Sequence, residues 1–93
     1  MSEDELLMLS IPPQVDVGEQ AHTLNVVVAP HEDGVRVELR HPDVGGKRYR
    51  VLSEGVVHDE QAVSDWIRMV APAVGRRLDA EARFARKQAG YGA

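Results

Sequence analysis

The fold is decided where VRVELR, residues 35–40, gives way to VSDWIRMVAPAVGRRL, residues 63–78. In the first stretch apolar and charged residues alternate, which is typical of a β-strand with one buried face. In the second stretch apolar residues recur every three or four positions and share one helical face: Val63, Trp66, Ile67, Val70, Val74 and Leu78. The sequence therefore predicts an α+β fold in which a small sheet packs on one long helix.

Three strands are predicted ahead of the helix, as an antiparallel meander over residues 22–52. The turns between them are rich in Pro, Asp and Gly, and residues 14–20 are interpreted as an extended connector. In the third strand Tyr49 and Val51 are predicted to face inward. The helix and strands together predict this core: Leu24, Val26, Val28, Val35, Val37, Leu39, Tyr49, Val51, Val63, Trp66, Ile67, Val70, Val74 and Leu78.

The C-terminal helix is predicted over residues 59–88, with Asp59 as its N-cap. Pro72 is expected to kink or break it, because proline lacks the amide donor that a helix interior needs. The apolar stripe stops after Leu78, since Glu81 falls at its centre, so residues 79–88 are expected to leave the sheet. Residues 89–93 contain two glycines and are expected to fray.

The N-terminal segment, residues 1–13, has three interpretations. Ser2 and Glu5 have capping-box spacing, and an apolar run at 6–9 follows them, which favours a short helix that ends before Pro12 and Pro13. An acidic apolar segment also has the character of a docking motif. The third interpretation is a segment that covers the core edge or frays.

Length and composition exclude several classes of protein. Ninety-three residues form one domain, 1–93, which buries only roughly 60–65% of its unfolded surface and has little room for an internal pocket. The absence of cysteine excludes disulfides, thiolate metal sites and cysteine nucleophiles. No apolar run approaches the roughly 20 residues of a membrane span, and the start is acidic. We therefore expect a cytoplasmic protein without membrane insertion.

The net charge of −4 is distributed unevenly. Residues 1–60 carry five basic and twelve acidic side chains, whereas residues 61–93 carry six basic and three acidic ones. The helix end is therefore basic, and four residues of it form a candidate partner-binding surface: Arg76, Arg83, Phe84 and Lys87. The alternative is a solvated helix that pairs its own charges, with Asp79 placed to bind Arg83 one turn later.

The outward face of the meander is a second candidate surface. Alternation places Arg36, Arg40, Arg48 and Arg50 together there, and guanidinium groups suit phosphates and guanine edges. The alternative is one wet face of a sheet on which Arg and Glu38 pair across strands.

Residues 35–67 resemble the arm-type DNA-binding domain of phage integrases in the strand VRVELR, the turn HPDVGGKRYRV and the helix start DEQAVSDWI. The resemblance implies a three-stranded sheet that enters the major groove, with Arg36, Arg40, Arg48 and Arg50 on DNA. It covers about a third of the chain, and the acidic N-terminal half departs from that family, because acidic groups repel phosphate.

The sequence contains no recognised enzymatic motif. The four histidines include His31 and His41, each followed two residues later by Asp, but neither pair has a third ligand at a known spacing. No phosphate-binding glycine loop or nucleophile elbow occurs. We therefore expect no catalytic activity, no metal and no cofactor.

Three features bear on the function: the chain is small, it has no catalytic motif, and its composition is typical of a GC-rich genome. Nine of the eleven basic residues are Arg, while isoleucine occurs twice and asparagine once. In these respects the chain resembles small accessory proteins of phages that infect GC-rich, actinobacterial-type hosts. The resemblance implies a non-enzymatic protein that binds a host protein and alters its activity. Self-association through the C-terminal helix is a further expectation, and DNA binding by the arginine face is the alternative function.

Overall fold

A computed structural model describes residues 11–42 and 48–91. Four antiparallel strands form one sheet in the order β1-β2-β3-β4, and a single helix follows them. The elements are β1 Gln14–Val17, β2 His22–His31, β3 Gly34–Pro42, β4 Tyr49–Val57 and α1 Ala62–Tyr91. The α+β prediction of a meander with a long C-terminal helix is confirmed, and the count of three strands is wrong.

The additional strand is β1, which the sequence suggested to be a connector. It pairs with β2 in the register Val15 opposite Leu24 and Val17 opposite His22. Four residues are too short a run for alternation to distinguish a strand from an extended linker. Pairing with β2, rather than any property of β1 itself, makes this segment a strand.

The core lies between the sheet and α1. Of the predicted core residues, eight are buried: Leu24, Val37, Leu39, Val63, Trp66, Ile67, Val74 and Leu78. Four others are partly buried against them: Val26, Val28, Val35 and Val70. Val17 of β1 is also buried and was missed together with its strand.

A register shift between β3 and β4 overturns the prediction that Tyr49 and Val51 face the core. Leu39 lies opposite Ser53 whereas Arg40 lies opposite Val51, so Leu52 is an extra residue in β4. One extra residue reverses the facing of every side chain on its far side. Leu52 packs against the core, while Tyr49 is 58% exposed on the outward face.

Helix α1 runs without interruption through Pro72, so the predicted break is absent. Pro72 deprives the carbonyl of Arg68 of its amide donor, and both residues are exposed. Asp59 caps the helix as predicted, since its Oδ1 accepts the backbone N–H of Ala62 at 3.0 Å.

The termini of the chain match the predicted boundaries only in part. The helix continues to Tyr91, so the first residues of the expected frayed tail are helical. Residues 1–10, where a short helix was predicted, lie outside the described residues, as do 43–47 and 92–93.

Candidate partner-binding surface

The side chain of Asp79, which is only 5% exposed, connects helix α1 to the turn between β1 and β2 by hydrogen bonds. Its carboxylate accepts the backbone N–H of Glu19 at 2.8 Å and of Gln20 at 3.3 Å, and lies 3.0 Å from Nε2 of His22. The hydrogen bond from Glu19 lowers the pKa of Asp79, assisted by Gln20 and His22 and opposed by desolvation. Asp79 is therefore held as a carboxylate on the β1–β2 turn, residues 18–21.

Two glycines allow this close approach between helix and turn. A Cβ on Gly75 would lie 2.5 Å from the backbone nitrogen of Gly18, which no side chain can tolerate. Gly18 also has a φ of 81°, in the left-handed region that favours glycine. This contact sets which part of the helix packs on the β1–β2 turn.

Two residues after Asp79 is the last hydrogen bond between a sheet side chain and a helix side chain in the described residues. Arg50 donates from one nitrogen to both oxygens of Glu81, at 2.8 and 2.9 Å. Arg77 lies 3.6 Å from the same carboxylate. Glu81, which interrupts the apolar stripe in the sequence, thus has two cationic partners at the edge of the sheet.

Beyond Glu81 the helix projects from the domain. The ten residues Ala82–Tyr91 extend it by about 15 Å, and the molecule is 56 Å long but only 26 by 24 Å across. Arg83 to Gly90 are all exposed, and Phe84 is 63% exposed. This end carries three cations and no carboxylate, namely Arg83, Arg86 and Lys87.

The predicted ion pair between Asp79 and Arg83 is wrong, because Asp79 is directed at the β1–β2 turn. Within residues 11–42 and 48–91, no ion pair involves the four cations Arg76, Arg83, Arg86 and Lys87. This helix end is solvated, as the alternative of a solvated helix that pairs its own charges predicts, but its cations do not pair with carboxylates of the described residues.

A stripe of exposed apolar residues runs along the helix beside the face that packs on the sheet. At about 100° per residue, Met69, Ala73, Ala80 and Phe84 fall within one sector, and all are exposed. Arg76 and Lys87 lie at the edge of this stripe that is farther from the sheet-packed face. We define the projecting-helix surface as Arg76, Ala80, Arg83, Phe84 and Lys87. The sequence indicated its charged members and Phe84, but not Met69 or the alanines, which lie outside the core-facing stripe.

The four arginines predicted for the outward sheet face do not share one surface. Arg36 and Arg40 are outward, but Glu38 lies between them, 3.1 Å from Arg36 and 2.6 Å from Arg40. Glu54 also binds Arg36, at 2.9 Å. Arg50 is on the helix side because of the bulge, and Arg48 is exposed just ahead of β4.

The outward sheet face does contain one aromatic contact. The guanidinium of Arg40 lies 4.0 Å from the centroid of the Tyr49 ring, an arrangement that stabilises the cation on the ring. The cross-strand Arg–Glu alternative for this face matches the contact of Arg36 with Glu54, whereas Glu38 binds Arg36 and Arg40 of its own strand.

Two other kinds of site are absent from the described residues. In residues 11–42 and 48–91, no group of three His, Asp or Glu side chains is close enough to hold a metal ion. Over the same residues no helix has the length and apolarity that a membrane crossing requires. No protein-family model, curated protein or solved structure is significantly similar to this chain.

Proposed function

We propose that this protein is a non-enzymatic interaction protein that binds a host protein through the projecting-helix surface and thereby alters its activity. The observation that supports this proposal is the exposed Phe84 on a basic helix end that extends beyond the domain. A partner groove that is apolar at its centre and acidic at its rim would complement this surface in shape and charge.

The projecting end has a physical reason to bind. Helical segments shorter than about 12–15 residues are marginal in water, and their stability in proteins comes mostly from packing. This end has no packing against the described sheet beyond the Arg50–Glu81 contact. A bound partner would supply it, since an aromatic side chain can bury about 150–250 Å² at an interface.

The test is a tagged pull-down from lysate of a GC-rich bacterial host, treated with nuclease and analysed by mass spectrometry. Phe84→Ala is expected to abolish capture of the partner. The matched control is Tyr49→Ala, because Tyr49 is a nearly equally exposed aromatic on the opposite side of the sheet. Retention of the partner by Phe84→Ala would eliminate the projecting-helix surface as the binding site.

DNA binding by the outward sheet face is a second proposal, favoured by the contact of Arg40 with the exposed Tyr49. Glu38 and Glu54 weaken it, because they already neutralise Arg36 and Arg40. The proposal predicts that the logarithm of affinity falls linearly with the logarithm of salt concentration, and that Arg40→Ala lowers the slope by about one. No binding to duplex DNA at low salt would refute it.

A further inference from the structure

A groove lies at the end of the molecule opposite to the projecting helix. It has a volume of about 400 Å³ and is lined by Val28, Ala29, Pro30, Gly34, Val35 and Glu60. Apart from Glu60 its side chains are apolar. A groove of this size is within the range of about 300–1,000 Å³ that is typical of ligand pockets.

Glu60 lacks a partner in this groove. Its Oε2 is buried and accepts no hydrogen bond within the described residues. A buried carboxylate oxygen without a partner is unfavourable, and a cation placed beside the Glu60 carboxylate would reduce that cost. The lining therefore favours an occupant that combines an apolar group with a positive charge.

The surroundings of the groove are acidic. Glu32 and Asp33 lie in the β2–β3 turn, and Asp59 precedes Glu60. No Lys or Arg occurs in residues 22–35 or 51–67, and Arg36, which lies opposite the groove residue Ala29, is already paired with Glu38 and Glu54. The field at this end is thus opposite in sign to that of the projecting helix end.

We propose that the groove binds the projecting helix end of a second copy of this chain, with Phe84 in the apolar part and Lys87 on Glu60. Phe84 and Lys87 are three residues apart and so are neighbours on the helix surface. This inference rests on the proposed function, because the same helix end takes part in both. Self-association would then compete with binding of the host protein.

The geometry requires association from head to tail. Helix α1 has 30 residues, a length of about 45 Å, and begins beside the groove, so its other end cannot reach the groove of the same molecule. Each copy offers one helix end and one groove. Such heterologous contacts form open chains or closed rings.

The first experiment is sedimentation velocity of the full chain over a concentration series. The wild type is expected to gain mass with concentration, while Phe84→Ala and Glu60→Lys each weaken self-association by at least roughly tenfold. An equimolar mixture of the two variants is expected to stop at a 1:1 dimer, since Glu60→Lys retains the helix end and Phe84→Ala retains the groove. A wild type that stays monomeric to millimolar concentration, or a mixture without dimer, would overturn the inference.

A charge-reversal series keeps the test decisive if Glu60→Lys alone does not fold. Lys87→Glu changes only the exposed helix end and is expected to weaken self-association by the same factor. The double variant Glu60→Lys/Lys87→Glu is expected to recover it. Failure of Lys87→Glu to weaken association, in a chain with unchanged circular dichroism, would show that Lys87 does not bind Glu60.

Capture of the host protein separates this inference from the proposed function. Glu60→Lys is expected to lose self-association and to retain the host protein. A wild type that captures a host protein through Phe84 but never self-associates would overturn the inference alone. One that self-associates but captures no host protein would overturn the proposed function alone.

Discussion

The two halves of helix α1 have the same backbone and opposite surroundings. Trp66 and Phe84 are 18 residues apart, which is five helical turns, so their side chains leave the helix in the same direction. Trp66 is 9% exposed and packs over Gly55, whereas Phe84 is 63% exposed. Helical spacing determines the face of the helix on which a residue lies, whereas the extent of the sheet determines whether that face is buried.

The charges differ between the halves in the same way. Up to Glu81 the acidic groups near the sheet have partners: Asp79 binds the β1–β2 turn, and Glu81 binds Arg50 and Arg77. Beyond Glu81 there are cations only. The first half therefore stabilises the domain, and the second half is available for association.

The largest expected effect comes from removing the two matched aromatic side chains. Trp66→Ala is expected to destabilise the fold by about 3–5 kcal/mol, because it leaves a cavity between helix and sheet. Phe84→Ala is expected to change stability by less than about 0.5 kcal/mol. Urea denaturation of both variants measures the difference. Equal losses would show that Phe84 is packed in solution.

A second pair of variants compares glycines in the two halves. Gly75→Ala is expected to cost about 1–3 kcal/mol, because its Cβ would collide with the backbone of Gly18. Gly90→Ala meets no atom within 4 Å and should stabilise by up to about 1 kcal/mol through helix propensity. Thermal unfolding of both variants tests this. A neutral Gly75→Ala would mean that helix and turn can separate without cost.

Protonation of Asp79 at low pH should weaken the contact between helix α1 and the β1–β2 turn. The pKa of Asp79 is lower in the folded protein than the ordinary 3.8, so folding is stabilised by the carboxylate above that pH. This stabilisation is lost as the pH falls from the ordinary value through the lowered one. The melting temperature of Asp79→Asn should be below that of the wild type at pH 7, with the gap closing below about pH 4. Asp65→Asn, an exposed control, should show a smaller gap.

The smallest effect is expected at the last contact before the helix projects. Arg50 and Glu81 form a half-exposed pair, and such pairs contribute about 0.2–1 kcal/mol. A double-mutant cycle of Arg50→Gln and Glu81→Gln should give a coupling energy in this range that decreases at high salt. A coupling energy that does not respond to salt would contradict an electrostatic contact.

The sequence predicted most of the helix half that packs on the sheet, but little of the contacts at which this packing ends. Periodicity identified Val63 to Leu78 correctly, because helix geometry is local. It could not reveal the β4 bulge, which depends on how Arg40 and Leu39 align with a strand ten or more residues away. Consequently Tyr49 and Val51 were assigned to the core, and Arg50 to the outward face with Arg36 and Arg40.

The candidate surfaces show the same limit. Arg76, Arg83, Phe84 and Lys87 could be proposed from charge and spacing, since the apolar stripe visibly fails at Glu81. The groove with Glu60 could not, because its lining joins β2, β3 and the start of the helix. The nearest sequence signal for the Asp79 contact is an acidic residue directly after the last core position, Leu78.

By itself the sequence determined the α+β class, the helix and its N-cap, and the basic C-terminal end, because each follows from residues close together in the chain. Only the tertiary structure decided the fourth strand, the facing of β4, the fastening of Asp79 to the β1–β2 turn and the groove at Glu60. Each of these is a contact between distant segments, whose free energy depends on packing and register that local patterns do not encode.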